Sequence, residues 1–130
     1  MSWENNMKPV IKILTLIFAL FWLIFGLNGF LHFFPTPEPN PTAATLMAAL
    51  DNSGYIMPLT YAMEIIGGIL LLIPRFRFLA LLLLAPVTLN IVLYDFFLNP
   101  GGLAIGAVIA AIHALLLWDR RNRLCSLIGC

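Results

Sequence analysis

The sequence predicts an all-α polytopic membrane protein: a four-transmembrane-helix bundle with a short amphipathic helix in the first outer loop. Of its 130 residues, 62% are hydrophobic and only 10% are charged, whereas soluble domains carry about 25% charged residues. Apolar runs recur at lengths close to the roughly 20 residues that cross a bilayer. All seven basic residues fall in segments that four crossings would place on one side. We therefore expect residues 1–130 to form a single transmembrane domain.

The predicted spans cover residues 10–34, 57–73, 76–98 and 101–118. Prolines bound them, because Pro35 follows the first run and Pro74 separates the second from the third. The first run is too long for the apolar core of a signal peptide, and no small-x-small cleavage site follows it. We therefore expect a retained helix. The second and fourth spans are short and are expected to stand nearly upright.

The basic residues predict the orientation of the chain. They lie before the first span, between the second and third, and after the fourth, at Lys8, Lys12, Arg75, Arg77, Arg120, Arg121 and Arg123. Because basic residues collect on the cytoplasmic side of membrane proteins, both termini are expected to be cytoplasmic.

The first outer loop carries signals for a helix of its own. Asn40 followed by Pro41 is typical of an N-cap and a first helical position. Apolar residues then recur at helical spacing, at Ala43, Leu46, Met47 and Leu50. This pattern predicts an interfacial helix over residues 41–51, lying across the outer mouth of the bundle. Whether it gates the bundle or only covers it is left open.

Polar residues inside the spans are the main candidates for function, because such groups are costly in lipid and usually face the bundle interior. At 1.5 Å per residue, Asn28, Glu64 and Asn90 lie about 9 to 12 Å below the outer helix ends. Polar groups from different helices thus converge in the outer half. The predicted ligand-binding residues are Asn28, His32, Thr60, Tyr61, Glu64, Asn90, Tyr94, Asp95 and His113.

Structural roles remain as alternatives for several of these residues. Asn28 and Asn90 would serve equally well as hydrogen bonds between helices, and His113 would serve to bond a neighbouring carbonyl. His32 and Asp95 are near enough to the outer surface to be solvated. Glu64 is the hardest to explain structurally, since a buried carboxyl group must be protonated, paired with another group or in contact with water.

A repeated motif connects the first and third spans. Leu27-Asn28 and Leu89-Asn90 each begin a similar run of leucine and aromatic residues. Two related hairpins, with an axis along the membrane normal, would set the two asparagines facing each other.

Four segments carry a family resemblance: residues 26–33 (GLNGFLHF), 53–55 (SGY), 64–72 (EIIGGILLL) and 83–91 (LLAPVTLNI). With them the chain resembles the DoxX-like family of small four-helix membrane proteins, named after a subunit of a thiosulfate:quinone oxidoreductase. The resemblance implies a four-helix bundle in a bacterial cytoplasmic membrane and a connection to quinones. Relatives are expected to carry a histidine near the position of Tyr94 and Asp95, and its lack here argues against a shared histidine-based site.

The functional expectation is binding of a lipid-soluble, quinone-like molecule in the outer-half pocket. No nucleotide-binding loop, haem-attachment motif or nucleophile elbow is encoded, so no autonomous enzyme is predicted. We expect an accessory subunit of a membrane redox system, linked to a quinone oxidoreductase, with a bound quinone as its only cofactor. The expected partners are membrane lipid, a redox partner protein or further copies of the chain. The net charge of +1 argues against nucleic acid.

Two other functions are compatible with the sequence. A structural or assembly-chaperone subunit would use its polar residues only for helix packing. A metal-dependent enzyme would use His32, Glu64, Asp95 and His113, but no HxxxH or HExxH spacing supports a metal site, and none is expected. Cys125 and Cys130, in the C-terminal tail, are expected to be reduced thiols, with a redox-active pair as the alternative.

Overall fold

The computed structural model describes residues 2–35 and 39–129, and these residues form helices joined by turns and short loops. Two single-turn 3-10 helices, Pro74–Phe76 and Pro100–Gly102, connect longer elements. The six α-helices are α1 (Ser2–Leu31), α2 (Pro41–Asn52), α3 (Ile56–Leu72), α4 (Arg77–Phe97), α5 (Leu103–Asp119) and α6 (Arg121–Ile128).

Three segments of the described chain are each long and apolar enough to cross a membrane: Lys8–Leu31, Pro74–Phe97 and Pro100–Asp119. Helices α2 and α3 are long and apolar enough to cross a membrane only when they are taken together, and they meet at a bend of 88°. The chain therefore has three such helices, or four if the bent pair is counted as one span. Large apolar side chains cover the outside, with Leu31 and Ile105 each 66% exposed. Such an exterior suits lipid rather than water.

Helices α1, α3, α4 and α5 are arranged as a ring. Helix α1 packs mainly on α3, α3 on α4 and α4 on α5, while a smaller contact between α1 and α5 completes the circle. Glycines permit the close approach of α1 and α3. A Cβ atom at Gly26 would lie 2.7 Å from Ile65 Cγ1, and one at Gly68 would lie 2.7 Å from Leu23 Cγ. Small residues at helix contacts are typical of membrane bundles.

The core of the ring is apolar and includes residues from all four helices. Its largest fully buried side chains are Trp22, Phe18, Leu71, Leu81 and Leu84. At the end of α3, the side chain of Arg77 donates from Nε to the carbonyl oxygen of Leu71 at 2.8 Å. That bond satisfies one of the carbonyl groups that a helix leaves unpaired at its C-terminus.

The helix boundaries follow local chemistry. Helix α1 ends at Leu31, short of the predicted residue 34, because His32 adopts a left-handed φ of 52° and Pro35 follows closely. The predicted N-cap of α2 is confirmed, since Asn40 Oδ1 accepts from the Ala43 backbone at 2.9 Å with Pro41 at the first helical position.

Helix α6 was not predicted, because its short charged sequence shows no apolar run. Within it Cys125 is disulfide-bonded, so the expectation of a reduced thiol is wrong for this residue. Cys130 lies outside the described residues.

Candidate functional site

A cavity with a volume of about 670 Å³ lies between α2, α3 and α4. Its lining is mostly leucine, isoleucine, methionine and phenylalanine. Four polar side chains interrupt this apolar surface: Thr60 and Glu64 from α3, and Asn90 and Tyr94 from α4. All four belong to the predicted ligand-binding set, so the structure brings these four together.

Glu64 is the most unusual of the four residues. Its side chain is only 9% exposed, lines the cavity, and forms no hydrogen bond or ion pair with any described residue. Thr60 lies one helical turn away on the same face, and its hydroxyl donates to the Ile56 carbonyl at 2.8 Å. Because a buried carboxyl group without a partner is costly, Glu64 marks this cavity as a place for a ligand or water.

Asn90, which is exposed, and Tyr94, which is half-buried, line the cavity from α4, whereas Glu64 and Thr60 line it from α3. Asn90 and Tyr94 lie four residues apart on α4, so both point into the same space. Neither side chain hydrogen-bonds another described residue. Pro86 lies inside α4 one turn before Asn90, where it removes a backbone hydrogen bond. The cavity therefore carries hydrogen-bonding capacity on two facing walls that the protein itself leaves unused.

Helix α2 forms the third wall, with Leu46, Met47 and Leu50 on the lining. At its start, Asn40 Nδ2 donates to the Leu98 carbonyl at 2.6 Å and so ties α2 to the end of α4. The helical spacing of these apolar residues was visible in the sequence, but their role as a cavity wall was not, because it depends on the 88° bend between α2 and α3.

Asn28 and His32 lie at a different place. They line a separate cavity of about 510 Å³ at the end of α1, together with Phe33, Phe34 and Pro35. The Asn28 side chain is buried, and its Oδ1 accepts from the Phe34 backbone at 2.9 Å. Asn28 thus ties the short segment after α1 to the end of that helix. The repeated motif predicts that Asn28 and Asn90 face each other, but they line different cavities.

Tyr61 also lies outside the cavity, although it neighbours Thr60 in sequence. Its ring packs on α1, against the backbone at Gly29 and edge-on to Phe30 with ring centroids 5.6 Å apart. A bulkier residue at position 29 would clash with that ring. Tyr61 therefore belongs to the interface between α1 and α3.

Asp95 faces α5 instead of the cavity and is only 7% exposed. Asn99 Nδ2 donates to its Oδ1 at 3.3 Å. A Cβ atom at Gly106 would lie 2.5 Å from Asp95 Oδ2, and one at Gly102 would lie 2.9 Å from Oδ1. The two glycines thus make room for the carboxyl group, which the sequence had placed near the aqueous edge.

His113 is a structural residue of the α4–α5 contact. Its Nε2 lies 3.0 Å from the Leu81 carbonyl oxygen and its Nδ1 lies 2.9 Å from Thr88 Oγ1. Because a carbonyl oxygen only accepts, Nε2 must carry the proton and Nδ1 accepts from the Thr88 hydroxyl. Phe18 packs edge-on to the ring. The structure therefore shows the structural alternative for His113, in which the ring bonds a neighbouring carbonyl group.

No three His, Cys, Asp or Glu side chains of the described chain lie close enough together to hold one metal ion. No family model, curated protein or solved structure matches the chain. Function is therefore inferred from the geometry of the cavity.

Proposed function

We propose that this chain is an integral membrane protein that binds a lipid-soluble small molecule with a quinone-like head in the cavity between α2, α3 and α4. The observation that carries the proposal is Glu64, a residue only 9% exposed that lines the cavity and has no hydrogen-bond or ion-pair partner among the described residues. A ligand with polar head atoms would supply that partner.

The size and chemistry of the cavity support such a ligand. Small-molecule pockets usually measure about 300 to 1,000 Å³ and combine an apolar lining with a few polar groups. This cavity, at about 670 Å³, has four polar side chains on two facing walls and leucine-rich surface elsewhere. The polar groups would orient the head, while the apolar surface would receive a ring face and the beginning of a hydrocarbon tail.

The proposed membrane arrangement has four spans, formed by α1, α3, α4 and α5. Helix α3 has 17 residues and a length of about 25 Å, somewhat less than the roughly 30 Å hydrocarbon core, so the bilayer would thin slightly around it. Helix α2 would then lie along the outer surface as an amphipathic cover. The basic residues assign both termini to the cytoplasmic side.

The proposed setting is the cytoplasmic membrane of a bacterium, which is what the resemblance to the DoxX-like family implies. The chain encodes no motif that would hold a redox centre. In the proposed role it is an accessory subunit, and a partner protein supplies the electrons to the quinone that it holds.

Ligand binding by the purified full-length protein tests this proposal. Native mass spectrometry would identify copurified molecules, and titration with a decyl-tailed 1,4-benzoquinone and with its quinol would measure affinity. We expect saturable binding of at least one form, weakened about fivefold by Glu64→Gln because the carboxyl group that bonds the ligand head is replaced by an amide. Asp51→Asn is the matched control, since Asp51 is exposed on α2 and does not line the cavity. Absence of saturable binding of both forms would reject the proposal.

A structural or assembly-chaperone subunit is the second candidate, and one observation favours it. Four of the predicted ligand-binding residues make side-chain hydrogen bonds within the protein: Asn28, Thr60, Asp95 and His113. In that role, Glu64→Gln would change the recovery of one stoichiometric membrane partner while small-molecule binding stays undetectable. Affinity purification from the native membrane, with and without the substitution, distinguishes the two candidates.

A further inference from the structure

The two polar walls of the cavity are in register. Helices α3 and α4 are antiparallel neighbours joined by a short turn, and Gly67 packs directly against Leu84. A helix advances about 1.5 Å per residue. The Cα atom of Glu64 therefore lies about 4.5 Å closer to α2 than that of Gly67, and the Cα atom of Asn90 lies about 9 Å closer to α2 than that of Leu84. Side chains lean toward the N-terminus of their own helix, so those of Glu64 and Asn90 lean toward each other.

The same geometry applies one turn nearer to α2, where Thr60 and Tyr94 approach each other. The cavity therefore holds two facing pairs of polar groups. The floor pair consists of Glu64 and Asn90, and the roof pair consists of Thr60 and Tyr94. Four residues of α-helix separate the pairs on each wall, which is about 6 Å along the helix axis. A six-membered ring with oxygen atoms at positions 1 and 4 has a comparable length.

The roof pair offers one acceptor and one donor. The Thr60 hydroxyl already donates its only proton to the Ile56 carbonyl, so toward the cavity its oxygen can only accept. The Tyr94 hydroxyl has no partner among the described residues and is available to donate. A ligand hydroxyl suits this pair, because it can donate to Thr60 and accept from Tyr94. A ligand carbonyl would leave the Thr60 oxygen unpaired.

The floor pair repeats the pattern. The Asn90 amide has two N–H donors, and the Glu64 carboxylate, when ionised, only accepts. Neither group is engaged by another described residue. A ligand hydroxyl between them would donate to Glu64 and accept from Asn90. The carboxyl group of Glu64, a residue that is 9% exposed, would then have the partner that the described protein does not provide.

On the basis of the proposed function, we infer that the cavity binds the reduced form of its ligand more tightly than the corresponding quinone. The reduced form is a 1,4-dihydroxy ring with an apolar tail. Each pair matches a hydroxyl group, which both donates and accepts, better than a carbonyl group, which only accepts. The selectivity comes from the acceptors Glu64 and Thr60, whereas Asn90 and Tyr94 would bond either form.

Paired binding measurements test this inference. The full-length protein in lipid nanodiscs is titrated with a decyl-tailed 1,4-benzoquinone and with the same compound reduced beforehand and kept free of oxygen. We expect the quinol to bind about tenfold more tightly than the quinone, the effect of one well-made hydrogen bond in a buried site. Thr60→Val should weaken quinol binding about fivefold and leave quinone binding unchanged.

Thr45→Val is the matched control for Thr60→Val. Thr45 also bonds back to the carbonyl four residues earlier, that of Pro41, but it lies on α2 and does not line the cavity. Thr45→Val should leave both affinities unchanged. Tyr94→Phe provides a second measurement should Thr60→Val fail to fold, and it is expected to weaken both forms to a similar extent. Thermal unfolding of each variant confirms that the fold is retained.

The outcomes separate the two proposals. Equal affinities, or tighter binding of the quinone, would overturn the selectivity while leaving the proposed function standing. Equal losses of quinol and quinone affinity in Thr60→Val would also overturn it, because the threonine would then not discriminate. Absence of saturable binding of either form would overturn both proposals.

Discussion

The bundle contains two polar regions that differ in how completely the protein satisfies them. At the α4–α5 contact, both ring nitrogens of His113 have partners, Thr88 and the Leu81 carbonyl. In the cavity, Glu64 is similarly buried and has no partner among the described residues. A buried polar group with its bonds made inside the protein needs no ligand, whereas a carboxyl group that opens into a cavity without a partner can bond one. The comparison teaches that hydrogen bonding, more than burial or depth, distinguishes His113 from Glu64, the residue on which the proposed ligand site rests.

The largest expected effect is on the satisfied side of this comparison. His113→Leu should lower the free energy of unfolding by about 2 kcal/mol, because it leaves the buried Leu81 carbonyl and the Thr88 hydroxyl without their partner. Thermal or denaturant unfolding in detergent measures this. Quinol binding should stay unchanged. A loss of binding with normal stability would show that His113 belongs to the ligand site after all.

The reverse result is expected at Glu64. Glu64→Leu should weaken quinol binding at least tenfold, which is about 1.4 kcal/mol, without lowering the unfolding temperature, because an apolar side chain replaces an unpaired buried carboxyl group. Binding titrations and unfolding of the same preparation measure both quantities. Clear destabilisation together with unchanged binding would assign Glu64 to packing.

The two asparagines of the repeated motif give a smaller and more specific contrast. Asn28→Ala removes the bond to the Phe34 backbone and should cost about 1 kcal/mol of stability with no effect on ligand affinity. Asn90→Ala should weaken ligand binding and leave stability nearly unchanged, since no bond within the described protein is lost. Matching behaviour of the two variants in both assays would contradict their assignment to different sites.

The smallest effect is expected at Tyr61. Its ring packs on Gly29 and Phe30, away from the cavity. Tyr61→Phe keeps that packing and should change ligand affinity by less than about twofold, as for substitutions away from a site. Tyr94→Phe, on the cavity wall, is the matched comparison and should have the larger effect on titration with the quinol.

Much of the fold was predictable because lipid imposes strong rules on a chain. Apolar runs of membrane length must be helical, and the helices lie within a few residues of the predicted spans except at the start of α1, which begins at Ser2 and not at residue 10. The cap at Asn40 was predictable because it depends on residues adjacent in sequence. Helix α6 was missed because it is short and charged, and the early end of α1 was missed because it depends on the backbone conformation of His32.

The candidate site was predictable only in part. Depth along each helix predicts two polar layers, with Thr60 and Tyr94 nearer the outer rim and Glu64 and Asn90 below them, and the structure brings these four together around one cavity. Depth alone does not give the rotation of a helix about its axis. That rotation directs Tyr61 toward α1 and Asp95 toward α5, away from the residues beside them in sequence.

The sequence by itself determined the helical class of the chain, the approximate limits of its helices and the one-sided distribution of its basic residues, because these follow from composition and local order. Only the tertiary structure decided which polar residues are satisfied. A hydrogen bond such as that from His113 to Leu81 joins residues 32 positions apart and depends on how two helices are rotated and packed. The same packing leaves Glu64 without a partner, and that absence among the described residues is the basis of the proposed ligand site.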